Sequence, residues 1–131
     1  MPAAALLHFE RDAAAASALA ERLDLERITV QRHRFPDGEF RLQVPEQPPE
    51  CAVVFATLDD PNEKLVELMI LAGCLRALQV RRIVLVAPYL CYMRQDIAFK
   101  PGEAVSQQIV GRFLAERFDA RRAGEDVGGL H

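Results

Sequence analysis

The segment AVVFATLDDPNEKLVELMILAGCLRALQVRRIVLVAP (residues 52–88) contains two uninterrupted apolar runs separated by a long helical stretch. The runs, Ala52–Ala56 and Arg82–Pro88, are typical of strands that are buried on both faces of a sheet. The stretch between them, Leu65–Leu78, has the broad apolar face of a helix that packs on such a sheet. Because strand–helix–strand units cross over right-handed, the segment predicts two parallel neighbouring strands.

The flanking sequence extends this alternation in both directions. Pro61 and Asn62 indicate the start of the helix, with Pro61 near the first turn and Asn62 as a possible cap. Ser106 can cap a further helix that runs to about Phe118. Upstream, the predicted elements are a strand, a helix, a second strand and a returning strand, at Ala3–Phe9, Arg11–Leu23, Ile28–Phe35 and Phe40–Val44. This order predicts an α/β domain with a mainly parallel sheet flanked by helices and a protruding β-hairpin.

The end of the chain departs from this pattern. A further buried strand is expected after Ala120, but residues 121–131 are RRAGEDVGGLH, with three glycines, four charges and no apolar run. We therefore predict a domain over residues 1–120 and a disordered or truncated tail over 121–131. A truncated chain, an altered reading frame and a divergent end all remain open as causes.

Composition limits the classes of function. The 131 residues carry a net charge of -3 with a pI of about 5.6, which argues against a large nucleic-acid surface. No apolar stretch is long enough to span a bilayer, and the amino terminus lacks the pattern of a signal peptide. Three cysteines without metal-binding spacing are typical of reduced thiols, so a cytoplasmic protein with neither nucleic acid nor membrane as partner is expected.

The turn after the second predicted strand is the first candidate site, because ligands of parallel sheets bind beyond the carboxyl ends of strands. In Phe35-Pro36-Asp37-Gly38-Glu39 the aromatic ring could stack on a purine. Asp37 or Glu39 could accept a hydrogen bond from an exocyclic amine. Turn geometry alone also favours Pro, Asp and Gly, so a plain hairpin is an equally good interpretation.

The second candidate site follows the strand that ends near Ala87. Within Pro88–Asp96, Arg94 can make bidentate contacts to phosphate oxygens and Gln95 can hydrogen-bond a base or the backbone. Solvated charges on Arg94 and Asp96 are the alternative. Lys100, in the loop that follows, could reach a transferred phosphate. The sequence has no phosphate-binding GxxxxGK[ST], no GxGxxG after a strand and no histidine spacing for a metal.

Four segments in this order resemble the ribose-phosphate pyrophosphokinase family over about Leu7 to Ala120. They are RFPDGEF (34–40), DDPNEKLVELMILAGCLRA (59–77), RRIVLVAPYLCYMRQD (81–96) and PGEAVSQQIVGRFL (101–114). The resemblance implies a phosphoribosyltransferase-like fold and transfer of diphosphate from ATP to ribose 5-phosphate, giving PRPP and AMP. It also implies a need for Mg²⁺ and a homo-oligomer, often a hexamer built from dimers.

The resemblance also implies roles for individual residues. Phe35, Asp37 and Glu39 would hold adenine across a subunit interface. Residues Arg94, Gln95 and Asp96 would contact ATP from the other side, with Arg94 on phosphate and Gln95 near the base. Arg94, with a weaker case for Lys100, is therefore the expected catalytic residue, and no metal ligand is assigned to this chain.

Two family features have no counterpart at the expected positions. The family's D-x-H motif is unmatched, because Gly128 stands two residues after Asp126 and His131 is out of register. The family's ribose-phosphate loop belongs to a second domain, which we expect to lie outside this chain. Two hypotheses follow: an ATP-binding domain that is inactive in isolation, or a non-catalytic regulatory or oligomerisation module associated with true synthetases.

Overall fold

A computed structural model of the chain describes residues 3–89, 91–92, 97–98 and 100–123, with side chains described through residue 121. Within these residues the chain forms seven strands, three α-helices and a short 3-10 turn at Glu10–Asp12. The strands are β1 (Ala4–His8), β2 (Glu26–Thr29), β3 (Gln31–Arg34), β4 (Phe40–Gln43), β5 (Cys51–Phe55), β6 (Arg82–Ala87) and β7 (Ala120–Ala123). The helices are α1 (Ala13–Leu23), α2 (Pro61–Ala77) and α3 (Ser106–Arg117).

Five strands form one parallel sheet in the order β2-β1-β5-β6-β7, which confirms the predicted α/β class. β3 and β4 form a separate antiparallel hairpin. The chain runs from β1 to β2 and then returns to the far side of β1, so its direction of travel reverses between β1 and β5. Ligands of open α/β sheets typically bind beyond the carboxyl ends of the strands at such a point.

Each face of the sheet packs against different helices. Alternate residues such as Leu7, Val54 and Leu85 point toward α2 and α3, where the predicted helical stripe of α2 is buried. Their neighbours in sequence point toward α1 and form a second cluster, which comprises Leu6, Ala16, Leu19, Ala20, Val53, Phe55, Val84 and Val86. Burial on both faces explains why the central strands show continuous apolar runs rather than alternation.

The second predicted strand, Ile28–Phe35, is two strands in the structure. Val30 separates β2 from β3, and its side chain is buried. Its N–H donates to the carbonyl of His8 at 2.7 Å, which continues the pairing of β2 with β1. Beyond Val30 the chain leaves the main sheet, so β3 belongs to the hairpin alone.

The two predicted helix caps are wrong, although the helices are present. Asp60, in the left-handed conformation with φ 47°, precedes α2, and Pro61 is its first residue. Asn62 lies inside the first turn, where its Oδ1 accepts a hydrogen bond from the Tyr92 hydroxyl. Ser106 is likewise the first residue of α3 rather than its cap.

The expectation that no strand follows Ala120 is also wrong. β7 pairs in parallel with β6 from Val84↔Ala120 to Ala87↔Ala123. Asp119 secures this strand, because its Oδ2 accepts from the N–H of Ile83 at 2.7 Å and from Arg76 at 2.9 Å. Burial raises the pKa of the Asp119 carboxyl, but these two hydrogen bonds, together with the positive charges of Arg76 and Arg82, outweigh it and the pKa lies below its usual value.

The remaining tail, residues 124–131, lies outside the described residues, so its predicted disorder stays a prediction. In the described ranges, none of the helices has the length and apolar character needed to cross a bilayer.

Candidate functional site

The predicted hairpin turn has a well-defined hydrogen-bond pattern. Phe35 donates its N–H to the carbonyl of Glu39 at 2.7 Å and accepts from the N–H of Gly38 at 3.0 Å. The Glu39 N–H also bonds Asp37 Oδ1 at 3.0 Å, so one carboxylate oxygen of Asp37 stabilises the turn. Gly38 has φ 96°, a conformation that side chains with a Cβ rarely adopt. The Asp and Gly of this motif therefore both have structural roles.

Replacing Gly38 by alanine is expected to lower the free energy of unfolding by about 1 kcal/mol, because alanine must adopt the left-handed region. Urea denaturation would measure the change. Gly73 in α2 is the matched control, since a Cβ there meets nothing within 4 Å. In a helix interior, Gly73→Ala is expected to stabilise by about 0.5–1 kcal/mol. If Gly38→Ala leaves the free energy of unfolding unchanged or raises it, an alanine at this position is not strained.

The two faces of the hairpin carry different side chains. On the outer face the rings of His33 and Phe35 meet edge to face, with centroids 4.8 Å apart. Phe35 is 39% exposed, so part of its ring is open to stacking. On the inner face, Arg32 lies over the ring of Phe40 at 4.9 Å. Phe35 is thus directed away from the inner face, where Arg32 and Phe40 pack.

A cleft of about 650 Å³ lies between the hairpin and α2. Its lining includes Asp37 and Glu39, while Phe35 is not part of it. Val66 and Ile70 of α2 supply an apolar wall. The complete lining is Arg34, Asp37, Gly38, Glu39, Phe40, Glu63, Val66 and Ile70. Apolar walls with a few polar groups, in a cleft of this size, are typical of small-molecule sites.

A network of ion pairs joins the hairpin to α2. Glu63 Oε1 accepts hydrogen bonds from both Arg32 and Arg34. Glu67, one turn further along α2, is fully buried and pairs with Arg32 Nε at 2.8 Å. Arg11, which follows β1, binds both oxygens of Glu67 at 3.0 Å and 2.5 Å. These residues were not predicted from the sequence, although a glutamate on the buried stripe of α2 is a signal that points to Glu67.

The segment after β6 reaches the same end of α2. Tyr92, with φ 63°, donates its hydroxyl to Asn62, which is the neighbour of Glu63. Cys91 beside it is buried, and burial raises the pKa of its thiol, which is typical of an unreactive cysteine. The first turn of α2 therefore contacts both candidate segments, one through Tyr92 and the other through Arg34.

The remaining predicted residues are only partly placed. Arg94, Gln95 and Asp96 lie outside the described residues, so their roles stay predictions. Lys100 is exposed, and its carbonyl accepts the Glu103 N–H at 3.1 Å in a turn. Its role in phosphate transfer also stays a prediction.

The two described histidines are structural or exposed. His8 is fully buried at the end of β1, where Nδ1 bonds the carbonyl of Phe9 at 2.8 Å. This contact requires a proton on Nδ1, so Nε2 accepts from Arg27 at 3.3 Å. His33 lies on the exposed hairpin. Among residues 3–89, 91–92, 97–98 and 100–121, no group of three or more His, Cys, Asp or Glu side chains could hold a metal ion.

The sheet order and the hairpin define an α/β domain whose candidate site lies at the carboxyl ends of its strands. A profile described as the N-terminal domain of ribose phosphate pyrophosphokinase matches residues 4–117. The chain belongs to the ribose-phosphate pyrophosphokinase family and corresponds to its N-terminal domain. The resemblance predicted from the four sequence segments is confirmed.

Individual relatives agree with this assignment. The chain is 38% identical over 103 residues to a ribose-phosphate pyrophosphokinase of Methanopyrus kandleri, with 78% of this chain and 35% of the relative covered. It is 40% identical over 87 residues to that of Thermococcus kodakarensis, with 66% and 31% covered. The chain thus spans about a third of the length of these relatives.

A solved structure supports the fold. The phosphoribosylpyrophosphate synthetase of Mycobacterium smegmatis superposes with a TM-score of 0.82 at 22% identity. The match covers 96% of this chain and 45% of that one. The phosphoribosyltransferase-like architecture predicted for the domain is confirmed at the level of the fold.

Proposed function

We propose that this chain is the ATP-binding part of a ribose-phosphate pyrophosphokinase. The complete enzyme transfers diphosphate from ATP to ribose 5-phosphate and releases AMP. The main support is the cleft where Asp37 and Glu39 face the apolar wall of α2. Carboxylates beside an apolar surface suit a purine base with an exocyclic amine better than they suit a phosphate. The base therefore belongs at the hairpin and the phosphates toward Arg94.

The proposed roles follow from side-chain chemistry. Phe35 stacks on adenine, and Glu39 accepts from its amino group. Asp37 contributes the carboxylate oxygen that does not hold the turn. Gln95 and Asp96 contact the nucleotide from the other side. The described part of that segment ends at Tyr92, whose bond to Asn62 brings it to the same turn of α2 as the hairpin.

Transfer of the terminal diphosphate breaks the bond between the β-phosphorus and the oxygen that bridges to the α-phosphate. The anomeric hydroxyl of the sugar supplies the new bond and loses its proton, while AMP leaves with the bridging oxygen. Such reactions depend on positioning and charge stabilisation more than on covalent catalysis. Arg94 would offset charge on the phosphates, with Lys100 as a weaker candidate for the same task.

Magnesium is expected from the family, but the described residues offer no cluster that fits it. None of the described side chains is proposed as its ligand. The reduced thiols still predict a cytoplasmic protein, a prediction that stands on composition alone.

The outward direction of Phe35 supports a homo-oligomer. A base in the cleft of one chain is out of reach of Phe35 of the same chain, because this ring points away from α2 and does not line the cleft. The stacking ring must then come from elsewhere, and a second copy of the chain is the simplest source. Light scattering of the purified protein tests this proposal, and a strictly monomeric chain that binds ATP tightly would contradict it.

The isolated chain is expected to bind ATP but to lack turnover. It spans about a third of its relatives' length, and the ribose 5-phosphate site is proposed to lie in the remainder of the longer enzyme. Calorimetry with a non-hydrolysable ATP analogue and an assay of PRPP formation test these two statements separately. Robust PRPP formation by the 131-residue chain would show that the isolated chain is active. Absence of nucleotide binding by the oligomer would overturn the proposal that the chain binds ATP.

A non-catalytic module that associates with a full-length synthetase is the alternative, and retention of the complete hairpin favours it. Co-purification of the chain with a full-length relative would support this alternative. A chain that binds nucleotide without the relative and never associates with it would count against a regulatory role.

A further inference from the structure

Glu67 is the one fully buried carboxylate in the part of the chain that the structure describes. It lies on the apolar side of α2 next to Leu68, within the main core. A buried charge is costly unless hydrogen bonds compensate for its desolvation. Three guanidinium nitrogens provide that compensation here, two from Arg11 and one from Arg32.

The two arginines come from different parts of the fold. Arg11 follows β1 at the carboxyl edge of the main sheet and also covers the ring of Phe9 at 4.8 Å. Arg32 belongs to β3 of the hairpin and also bonds Glu63. Glu67 therefore links the hairpin to the sheet edge through α2.

This link matters because, in the described part of the chain, the hairpin shares no strand pairing with the main sheet. Its described attachments are the packing of Leu42 and Val44 on the core and the ion pairs with α2. A two-stranded hairpin is only marginally stable by itself. Apolar contacts do not fix direction, whereas charged hydrogen bonds do. The orientation of the hairpin thus depends mainly on the arginines.

The two glutamates of the network differ in burial. The Glu63 side chain is 47% exposed, so its pairs are screened and contribute little. Glu67 is shielded from water, and its bond to Arg32 Nε is correspondingly stronger. The buried pair is therefore the stronger of the two ion pairs that join Arg32 to α2.

We propose that Glu67 is a positioning residue that orients the hairpin through Arg32 and so keeps Asp37 and Glu39 at the cleft with α2. The expected effect of Glu67 on nucleotide binding rests on the proposed function. Its expected effect on the orientation of the hairpin does not. Nothing in this role requires Glu67 to touch the nucleotide.

The test is amide hydrogen exchange of the full chain carrying Glu67→Gln, which keeps the shape of the side chain and removes its charge. Exchange in residues 31–43 is expected to be about tenfold faster than in the unmodified protein, as loss of a charged hydrogen bond implies. Amides of β5 and β6 are expected to change by less than about twofold, because local opening of the hairpin does not expose these core strands. Glu63→Gln is the matched control and is expected to change the hairpin by less than about twofold.

A second readout is the affinity for a non-hydrolysable ATP analogue. Glu67→Gln is expected to raise its dissociation constant about tenfold, while Glu116→Gln, an exposed glutamate on α3 that does not line the cleft, leaves it within about twofold. If the unmodified chain binds no nucleotide, the proposed function fails and exchange alone decides the role of Glu67. The proposal is overturned if Glu67→Gln leaves amide exchange in the hairpin unchanged, or if it accelerates exchange equally in all strands.

If Glu67→Gln does not fold, Arg32→Gln is the variant to measure, because Arg11 still compensates the buried charge of Glu67. It is expected to accelerate hairpin exchange to a similar degree. In the double variant the two effects should not add, since both substitutions break the same contact. Full additivity would show that Glu67 and Arg32 act independently and would also overturn the proposal.

Discussion

Replacing Leu85 by alanine is expected to lower the free energy of unfolding by about 2–5 kcal/mol, measured by urea denaturation. Leu85 lies in the middle of β6, between Val54 of β5 and Arg121 of β7. Its side chain is fully buried in the cluster under α2 and α3. Because neighbours on both sides are held by strand pairing, they cannot close the cavity that alanine leaves, and the cost should fall in the upper part of this range.

Ile109→Ala is the matched control, since this side chain on α3 is 61% exposed. It is expected to change the free energy of unfolding by less than about 0.5 kcal/mol. A loss below about 1 kcal/mol for Leu85→Ala would mean that the core repacks freely around β6.

Replacing Arg94 by alanine is expected to weaken ATP binding by about 1–3 kcal/mol, the range for a charge-assisted hydrogen bond to phosphate. Arg94 follows Tyr92 by two residues, and Tyr92 is tied to Asn62 at the end of α2 that the hairpin also contacts. The proposed contact of Arg94 with phosphate therefore rests on its position in the sequence, two residues after this anchor. Calorimetry with the oligomer would measure the change.

Arg22→Ala is the control for this measurement, because it removes an exposed arginine from α1, a helix that lies outside both candidate segments in the sequence. Its nucleotide affinity should equal that of the unmodified chain. If Arg94→Ala binds ATP as tightly as the unmodified chain, the alternative interpretation of Arg94 as a solvated loop residue is correct. Arg94→Lys should recover only part of the loss, since lysine lacks the bidentate geometry of a guanidinium.

The central elements could be predicted because their signal is local. Ala52–Ala56 and Arg82–Pro88 have the length of strands and are apolar at successive positions, which is the pattern of strands buried on both faces. Strand β7 was missed because only four residues pair, two of them arginines, and β7 ends the described order of the sheet. Its anchor is Asp119, a hydrogen-bond acceptor whose partners Ile83 and Arg76 lie far away in sequence.

The candidate site was predictable to a different extent. The turn at Pro36–Gly38 follows from residue conformations, so the hairpin could be placed. The split at Val30 could not, because it depends on which sheet each half joins. The network around Glu67 was also invisible, since its partners Arg11 and Arg32 are distant in sequence and ordinary in type.

Because β1 pairs with β2 on one side and with β5 on the other, a strand that leaves the ribosome before both of its partners lies in the interior of the sheet. About 40 residues must be added after β1 before β5 exists, which takes about 2–8 s at ordinary rates of synthesis. During this interval one edge of an apolar strand is open to other nascent chains. We expect chains shortened to end before residue 51 to aggregate, and we expect substitutions in β5 to affect yield more strongly than the stability of the finished protein would indicate.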